Sequence, residues 1–169
     1  MNQRDLTRII RASRNGVIFD TNLLIILLVG LYRKEEISRF LTAKCLETDF
    51  DIIRSLIIKY NLTCTVTPQI LAEVSNLTFD HFKEPGLKEY LQKTISYIAI
   101  ASEEYVTKES LTDKYHLPML GYCDSSIIEA SKLKGYLVVT EDIKLYGTLM
   151  REGCPAININ HIRSMALLR

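Results

Sequence analysis

The sequence predicts an α/β fold, a parallel sheet of four to five short strands flanked by helices. Short apolar, β-branched runs alternate with longer stretches of helical periodicity, the pattern of a parallel sheet covered on both faces. The 169 residues fit one domain, and a chain of that length buries about 70% of its unfolded surface with no disulfide or metal to help. With 47% hydrophobic residues and only 7 Gly and 4 Pro, the composition excludes collagen-like, disordered and coiled-coil chains.

The elements follow in order. Residues 3–14 predict a short basic helix with Leu6, Ile9 and Ile10 on one face, stopped by Asn15-Gly16. Val17-Ile18-Phe19 reads as a buried strand running into Asp20, and the unbroken apolar stretch 22–32 as a buried helix. Apolar spacing predicts helices over 36–47 (Ile37, Phe40, Leu41, Cys45) and 49–60 (Ile52, Ile53, Leu56, Ile57, Tyr60). Residues 63–66 form a short strand, and Thr67-Pro68 opens a helix to about Leu77, with proline in its favoured first turn. Pro85-Gly86 restarts a helix, which residues 95–100 either continue or leave as a strand; periodicity does not decide. A helix over 105–115 ends before Pro118, another covers 122–133 and stops at Lys134-Gly135, and 136–140 is the strongest strand. A helix over 142–151, a strand over 154–158 and a terminal helix carrying Ile162, Met165 and Leu168 complete the chain. The whole is expected to be one domain, with 1–15 as its basic N-terminal helix.

Charge and cysteines bound the function. With 21 basic against 20 acidic residues, a net charge of +1 argues against a broad basic coat, so a polyanion would need a local patch or metal ions. Arg4, Arg8, Arg11 and Arg14 recur at helical spacing as one such stripe, by default a solvated face and alternatively a phosphate-tracking, RNA-binding patch. Cys45, Cys64, Cys123 and Cys154 contain no CxxC pair and read as small buried hydrophobes in a reducing cytoplasm. The apolar run 23–32 falls short of the about 20 residues a bilayer needs, so a soluble cytoplasmic protein with no membrane partner is expected. His81, His116 and His161 lie far apart with no Ser or Cys partner in a known pattern, and the tyrosines fall mostly at apolar helical positions.

Ligands collect at the carboxyl ends of parallel strands, and four acids fall near that edge. Asp20 ends the first strand, Glu73 lies in the helix after the second, Asp124 opens a helix, and Asp142 follows the strongest strand by two residues. Asp124 and Asp142 also fit helix N-caps, and Glu73 a solvated face. Asp20, set between a buried strand and an apolar helix, must be satisfied by something.

Four blocks then resemble the PIN-domain nucleases: Val-Ile-Phe-Asp20-Thr-Asn22-Leu-Leu, Thr67-Pro-Gln-Ile-Leu-Ala-Glu73-Val, Gly121-Tyr-Cys-Asp124-Ser-Ser, and Leu-Val-Val-Thr140-Glu-Asp142. They stand in the family's order and span about 16–162. The resemblance implies a PIN-like three-layer fold and a metal-dependent endoribonuclease, including the toxin of a toxin–antitoxin pair. It implies an RNA substrate, an antitoxin protein partner and a homodimer. It carries over Asp20, Glu73, Asp124 and Asp142 as catalytic and metal-binding acids, with Asn22 and Thr140 orienting them. The spacing from Asp20 to Glu73 exceeds that of compact toxin-type members, which marks 36–60 as an elaboration.

The chemistry agrees independently. Phosphodiester hydrolysis needs an activated water and cover for charge developing on phosphate, and one or two Mg²⁺ or Mn²⁺ ions supply both through oxygen ligands. Without metal, converging carboxylates repel and raise one another's pKa. Asp20 and Asp124 are the expected principal ligands, Glu73 a ligand or water-orienting group, and Asp142 a second-metal or water-mediated ligand for which Glu141 competes. Neutralising Asp20 or Asp124 is expected to leave the metal-free fold as stable or more so. The alternatives are a non-catalytic PIN-like RNA- or protein-binding module, and a haloacid-dehalogenase-type phosphohydrolase, which would need an acid where Asn22 stands. No GxxxxGK[ST] or GxGxxG loop is present.

Overall fold

The computed structural model describes residues 3–13, 15–40 and 47–166. Along the chain lie α1 (Gln3–Ala12), β1 (Val17–Phe19), α2 (Thr21–Tyr32), α3 (Ile37–Phe40), α4 (Glu47–Tyr60), β2 (Thr65–Val66), α5 (Pro68–His81) and α6 (Gly86–Ile100). There follow β3 (Ser102–Glu103), α7 (Lys108–Thr112), α8 (Leu117–Lys134), β4 (Leu137–Thr140), α9 (Ile143–Arg151), β5 (Ala156–Asn158) and α10 (Ile159–Ala166).

Every strand pairing is parallel, but the sheet is smaller than expected. Three strands form one sheet in the order β1-β4-β5, while β2 and β3 form a separate pair. Phe19 lies opposite Val139 and Thr140 opposite Asn158. The two pieces meet at a single bridge between Val17 and Cys64, where the Val17 amide donates to the Thr63 carbonyl at 2.9 Å. The strands are two to four residues long, so among the described residues one bridge is the only ladder pairing between the two pieces. Because all strands run the same way, Asp20, Thr67, Thr140 and Asn158 emerge along one edge.

The α2 helix is apolar all round and buried almost throughout, from Leu23 to Val29, as a helix enclosed by others must be. It packs against α4, α5 and α6. Gly30 lets α4 approach, since a Cβ there would come within 2.3 Å of the Phe50 ring. Phe50 is itself buried and cannot swing away, so Gly30→Ala should cost about 1–3 kcal/mol, read as a lower denaturant midpoint at unchanged slope. The apolar face of α1 joins the same core through Leu6 and Ile10.

Several boundaries move for physical reasons. The helix expected over 36–47 starts one residue later: Lys34–Glu36 form one 3₁₀ turn, α3 begins at Ile37, and Leu41 and Cys45 lie outside the described residues. Residues 95–100 continue α6. The helix expected over 105–115 shrinks to α7, capped by Thr107, whose hydroxyl accepts the Ser110 amide at 3.3 Å. β3 has no counterpart in the sequence expectations, being two exposed residues that gain order only by pairing with β2. The segment 118–121, left between the two expected helices, is a helical turn of α8, bent at Gly121, whose φ of 80° and ψ of 178° leave the helix. Of the tyrosines, Tyr32, Tyr90 and Tyr136 are buried, while Tyr105, Tyr115 and Tyr122 are exposed. Among the described residues no helix is long and apolar enough to cross a membrane.

Candidate active site

Asp20 is the N-cap of α2 and is only 5% exposed. Its Oδ1 accepts the Leu23 amide at 2.9 Å, and its Oδ2 accepts the Glu141 amide at 3.1 Å and the Thr140 hydroxyl. Burial outweighs these bonds and pushes its carboxyl up to about 6. The Thr140 hydroxyl also accepts the Asp142 amide at 2.9 Å. One buried hydroxyl therefore ties Asp20 to the start of α9. Asp142 caps that helix, its Oδ1 accepting the amides of Lys144 at 2.5 Å and Leu145 at 2.9 Å. The cap occupies one carboxylate oxygen and leaves the other without a bond among the described residues.

Glu73, exposed on α5, accepts the Thr21 hydroxyl at 2.6 Å. The same hydroxyl lies 3.3 Å from Cys123 Sγ. The Cys123 thiol also donates to Glu73, and burial followed by that bond holds it well above the usual thiol range. Apart from this thiol, the side-chain donors described at this edge are carboxylate and hydroxyl oxygens.

Asp124 lies in the first turn after the Gly121 bend, half-buried. Burial, then the charges of Asp20, Asp142 and Glu73, push its carboxyl up to about 7. It accepts no hydrogen bond among the described residues. The four acids are thus close enough to repel through Asp124. As they stand, no three His, Cys, Asp or Glu side chains among the described residues are gathered tightly enough to hold a metal ion. The donor set nonetheless fits a hard cation, because its least satisfied member is a half-buried carboxylate facing three others.

Two orienting roles sort differently from the sequence expectation. Thr140 contacts Asp20 directly, whereas Asn22 is exposed and makes no side-chain hydrogen bond among the described residues. Within the same Asp-Thr-Asn word it is Thr21 whose hydroxyl reaches an acid, donating to Glu73. Cys123, expected as a core hydrophobe, belongs to the acid network; its position next to Asp124 is the available signal. Glu141 is drawn to Arg163 Nη2 at 3.4 Å. That guanidinium also grips fully buried Asp49 through Nε at 2.7 Å and Nη2 at 2.5 Å. Glu141 is thus engaged elsewhere, and Asp142 is the acid whose charge reaches Asp124.

The arginine stripe lies at the other end of the sheet. Arg11 lines a hollow with Asn15, Gly16, Tyr60 and Thr63, at the amino ends of β1 and β2. Arg4, Arg8 and Arg11 are exposed, Arg8 lies 3.9 Å from Asp5, and Arg14 is outside the described residues. His116 is a buried core histidine whose Nδ1 lies 3.0 Å from Ser125 Oγ and Nε2 3.3 Å from Glu129 Oε1, a pairing that follows no known sequence pattern. Ser125 is fully buried, so this trio offers no nucleophile to a substrate.

No family model matches the chain, and no curated protein or solved structure matches it.

Proposed function

We propose that this chain is a metal-dependent endoribonuclease of PIN-like architecture, hydrolysing RNA phosphodiester bonds at the edge formed by Asp20, Glu73, Asp124 and Asp142. The observation that carries the proposal is Asp124: half-buried, without a hydrogen-bond donor among the described residues, its carboxyl pushed up to about 7 by burial and then by the charges of Asp20, Asp142 and Glu73. Such repulsion destabilises a fold unless a cation relieves it.

In this reading Asp20 and Asp124 are the principal holders of Mg²⁺ or Mn²⁺, and Asp142 contributes its uncapped oxygen. Mg²⁺ or Mn²⁺ supplies a water of lowered pKa and a counter-charge for phosphate. The chain's own groups do the rest. Thr140 and the Glu141 amide fix the Asp20 carboxylate in one orientation. Thr21 and Cys123 hold the Glu73 carboxylate in place, where it can orient water.

A module that only bound RNA would gain nothing from four carboxylates where phosphate must approach. The dehalogenase-type alternative needs a second acid two residues after Asp20, where Asn22 stands. An antitoxin protein able to cover the acid edge is the partner class this proposal carries forward, with a homodimer as the assembly.

Single-stranded RNA incubated with millimolar Mn²⁺ or Mg²⁺ should be cut, and EDTA or Asp124→Asn should abolish cutting. Cleavage indifferent to EDTA, or none by a protein that binds Mn²⁺, overturns the proposal. The stripe on α1 is remote from these acids, so it serves affinity. Replacing Arg4, Arg8, Arg11 and Arg14 with Gln should weaken RNA binding in a filter assay and lower the salt slope by about 0.7 for each phosphate left without its arginine. An unchanged slope makes α1 a packing helix only.

A further inference from the structure

We propose that His116 is a positioning residue that sets Asp124 in place by stapling the Gly121 bend of α8; this rests on the endoribonuclease reading above. His116 precedes the first turn of α8, Gly121 breaks the helix, and Asp124 opens its continuation. A glycine bend fixes no angle by itself, because glycine tolerates many backbone conformations. Something must choose one.

The His116 ring spans the break. It is 1% exposed, and its two nitrogens reach Ser125 and Glu129, both beyond Gly121. The tautomer that donates Nε2–H to the Glu129 carboxylate leaves Nδ1 to accept the Ser125 hydroxyl. Glu129 is buried and is anchored in turn by Lys114 Nζ at 3.0 Å, from the chain ahead of the bend. Ser125 directly follows Asp124, so the hydroxyl that His116 holds fixes the turn carrying the acid.

The opposite side of that turn is held as well. Ser126 Oγ lies 2.8 Å from the hydroxyl of Thr67, the N-cap of the α5 helix that bears Glu73, and donates to the Cys123 carbonyl at 2.7 Å. Both serines are fully buried. Asp124 has no hydrogen bond of its own among the described residues, so its direction is set by this backbone placement. His116 itself is too buried to touch RNA.

The test compares wild type, His116→Ala, His116→Asn and His116→Gln, with Gly30→Ala as a destabilised control remote from the acids. Mn²⁺ affinity is read from the free-ion electron paramagnetic resonance signal, beside kcat and KM for RNA. His116→Ala should lose about tenfold to a hundredfold in Mn²⁺ affinity and in kcat, the usual cost of removing a partner behind a ligand, with KM for RNA unchanged. Asn places an acceptor near the Nδ1 position and should restore most of the loss; Gln reaches only towards Glu129 and should not. Gly30→Ala should bind Mn²⁺ as wild type does. Wild-type affinity and kcat in folded His116→Ala overturn the proposal, as does a Gly30→Ala deficit of equal size. If wild type binds no Mn²⁺, the nuclease reading fails separately. A crystal structure of His116→Ala then decides the positioning claim, which an unmoved Asp124 carboxyl overturns.

Discussion

Asp124→Asn should melt at a higher temperature than wild type at pH 8 in EDTA, and the advantage should vanish at pH 4. Asp124 accepts no hydrogen bond among the described residues, so the amide forfeits none. It removes the charge that burial and the carboxylates of Asp20, Asp142 and Glu73 oppose. A carboxyl whose proton affinity is raised on folding binds its proton more tightly in the native state than in the unfolded chain. Its contribution is therefore fully favourable below the ordinary value of 3.8, declines as pH rises through about 7, and is flat above.

Each pH unit of such displacement costs the folded state about 1.4 kcal/mol, which sets a ceiling near 4 kcal/mol. Asp124 keeps partial access to water, so the realised penalty is about 1–3 kcal/mol, and a domain of this size moves its melting temperature by about 2–4 °C per kcal/mol. Millimolar Mn²⁺ should reverse the order, since wild type gains stability by mass action and the variant much less. Thermal melts of both proteins at the two pH values, with EDTA and with Mn²⁺, make the comparison. A variant less stable than wild type in EDTA, beside a wild type that gains nothing from metal, would return Asp124 to the role of an ordinary helix-start residue.

The parts of this arrangement legible in the sequence are those encoded by local pattern. Asp20 is visible because an acid between Val17-Ile18-Phe19 and an unbroken apolar helix has no cheap place to go. The strands β1 and β4 and the helix α2 show as unbroken apolar runs, and α4 and α9 by their helical periodicity. β3 does not, because two exposed residues with no apolar side chain become a strand only when β2 supplies the partner. The Gly121 bend reads as a loop, since Pro118 and Gly121 together mimic one; the turn between them is held by amides of Met119 and Leu120 that both donate to the His116 carbonyl, at 3.1 and 3.0 Å. The His116–Ser125 pair is separated by nine residues, a spacing that meets on no straight helix face. It becomes visible only once the bend is known. Thr21 is overshadowed by its neighbours Asp20 and Asn22, and Cys123 by the general tendency of free cysteines to sit in cores.

Asp20→Ala should cost about 2–4 kcal/mol in EDTA, the opposite sign from Asp124→Asn, although both remove a carboxylate from the same edge. Charge relief alone predicts that neutralising either acid leaves the metal-free protein as stable or more so. The hydrogen bonds of Asp20 overturn that expectation for alanine. Truncation strips the N-cap from α2 and orphans three donors: the Leu23 amide, the Glu141 amide and the Thr140 hydroxyl. A lost cap costs about 1 kcal/mol and each buried unsatisfied donor about 1–3 kcal/mol. Against this stands the relief of a buried charge whose carboxyl is pushed up to about 6, worth up to about 3 kcal/mol above that pH. Thr140 is fully buried and has no water to turn to, so the orphaned donors win. Asp20→Asn should fall between, because its carbonyl can still cap Leu23 while its NH₂ faces the Glu141 amide, donor against donor. Urea melts of the alanine and asparagine variants beside Asp124→Asn give the three values in one experiment. If alanine proves neutral or stabilising, charge repulsion outweighs hydrogen bonding throughout this edge, and Asp20 is held there by its ligand alone.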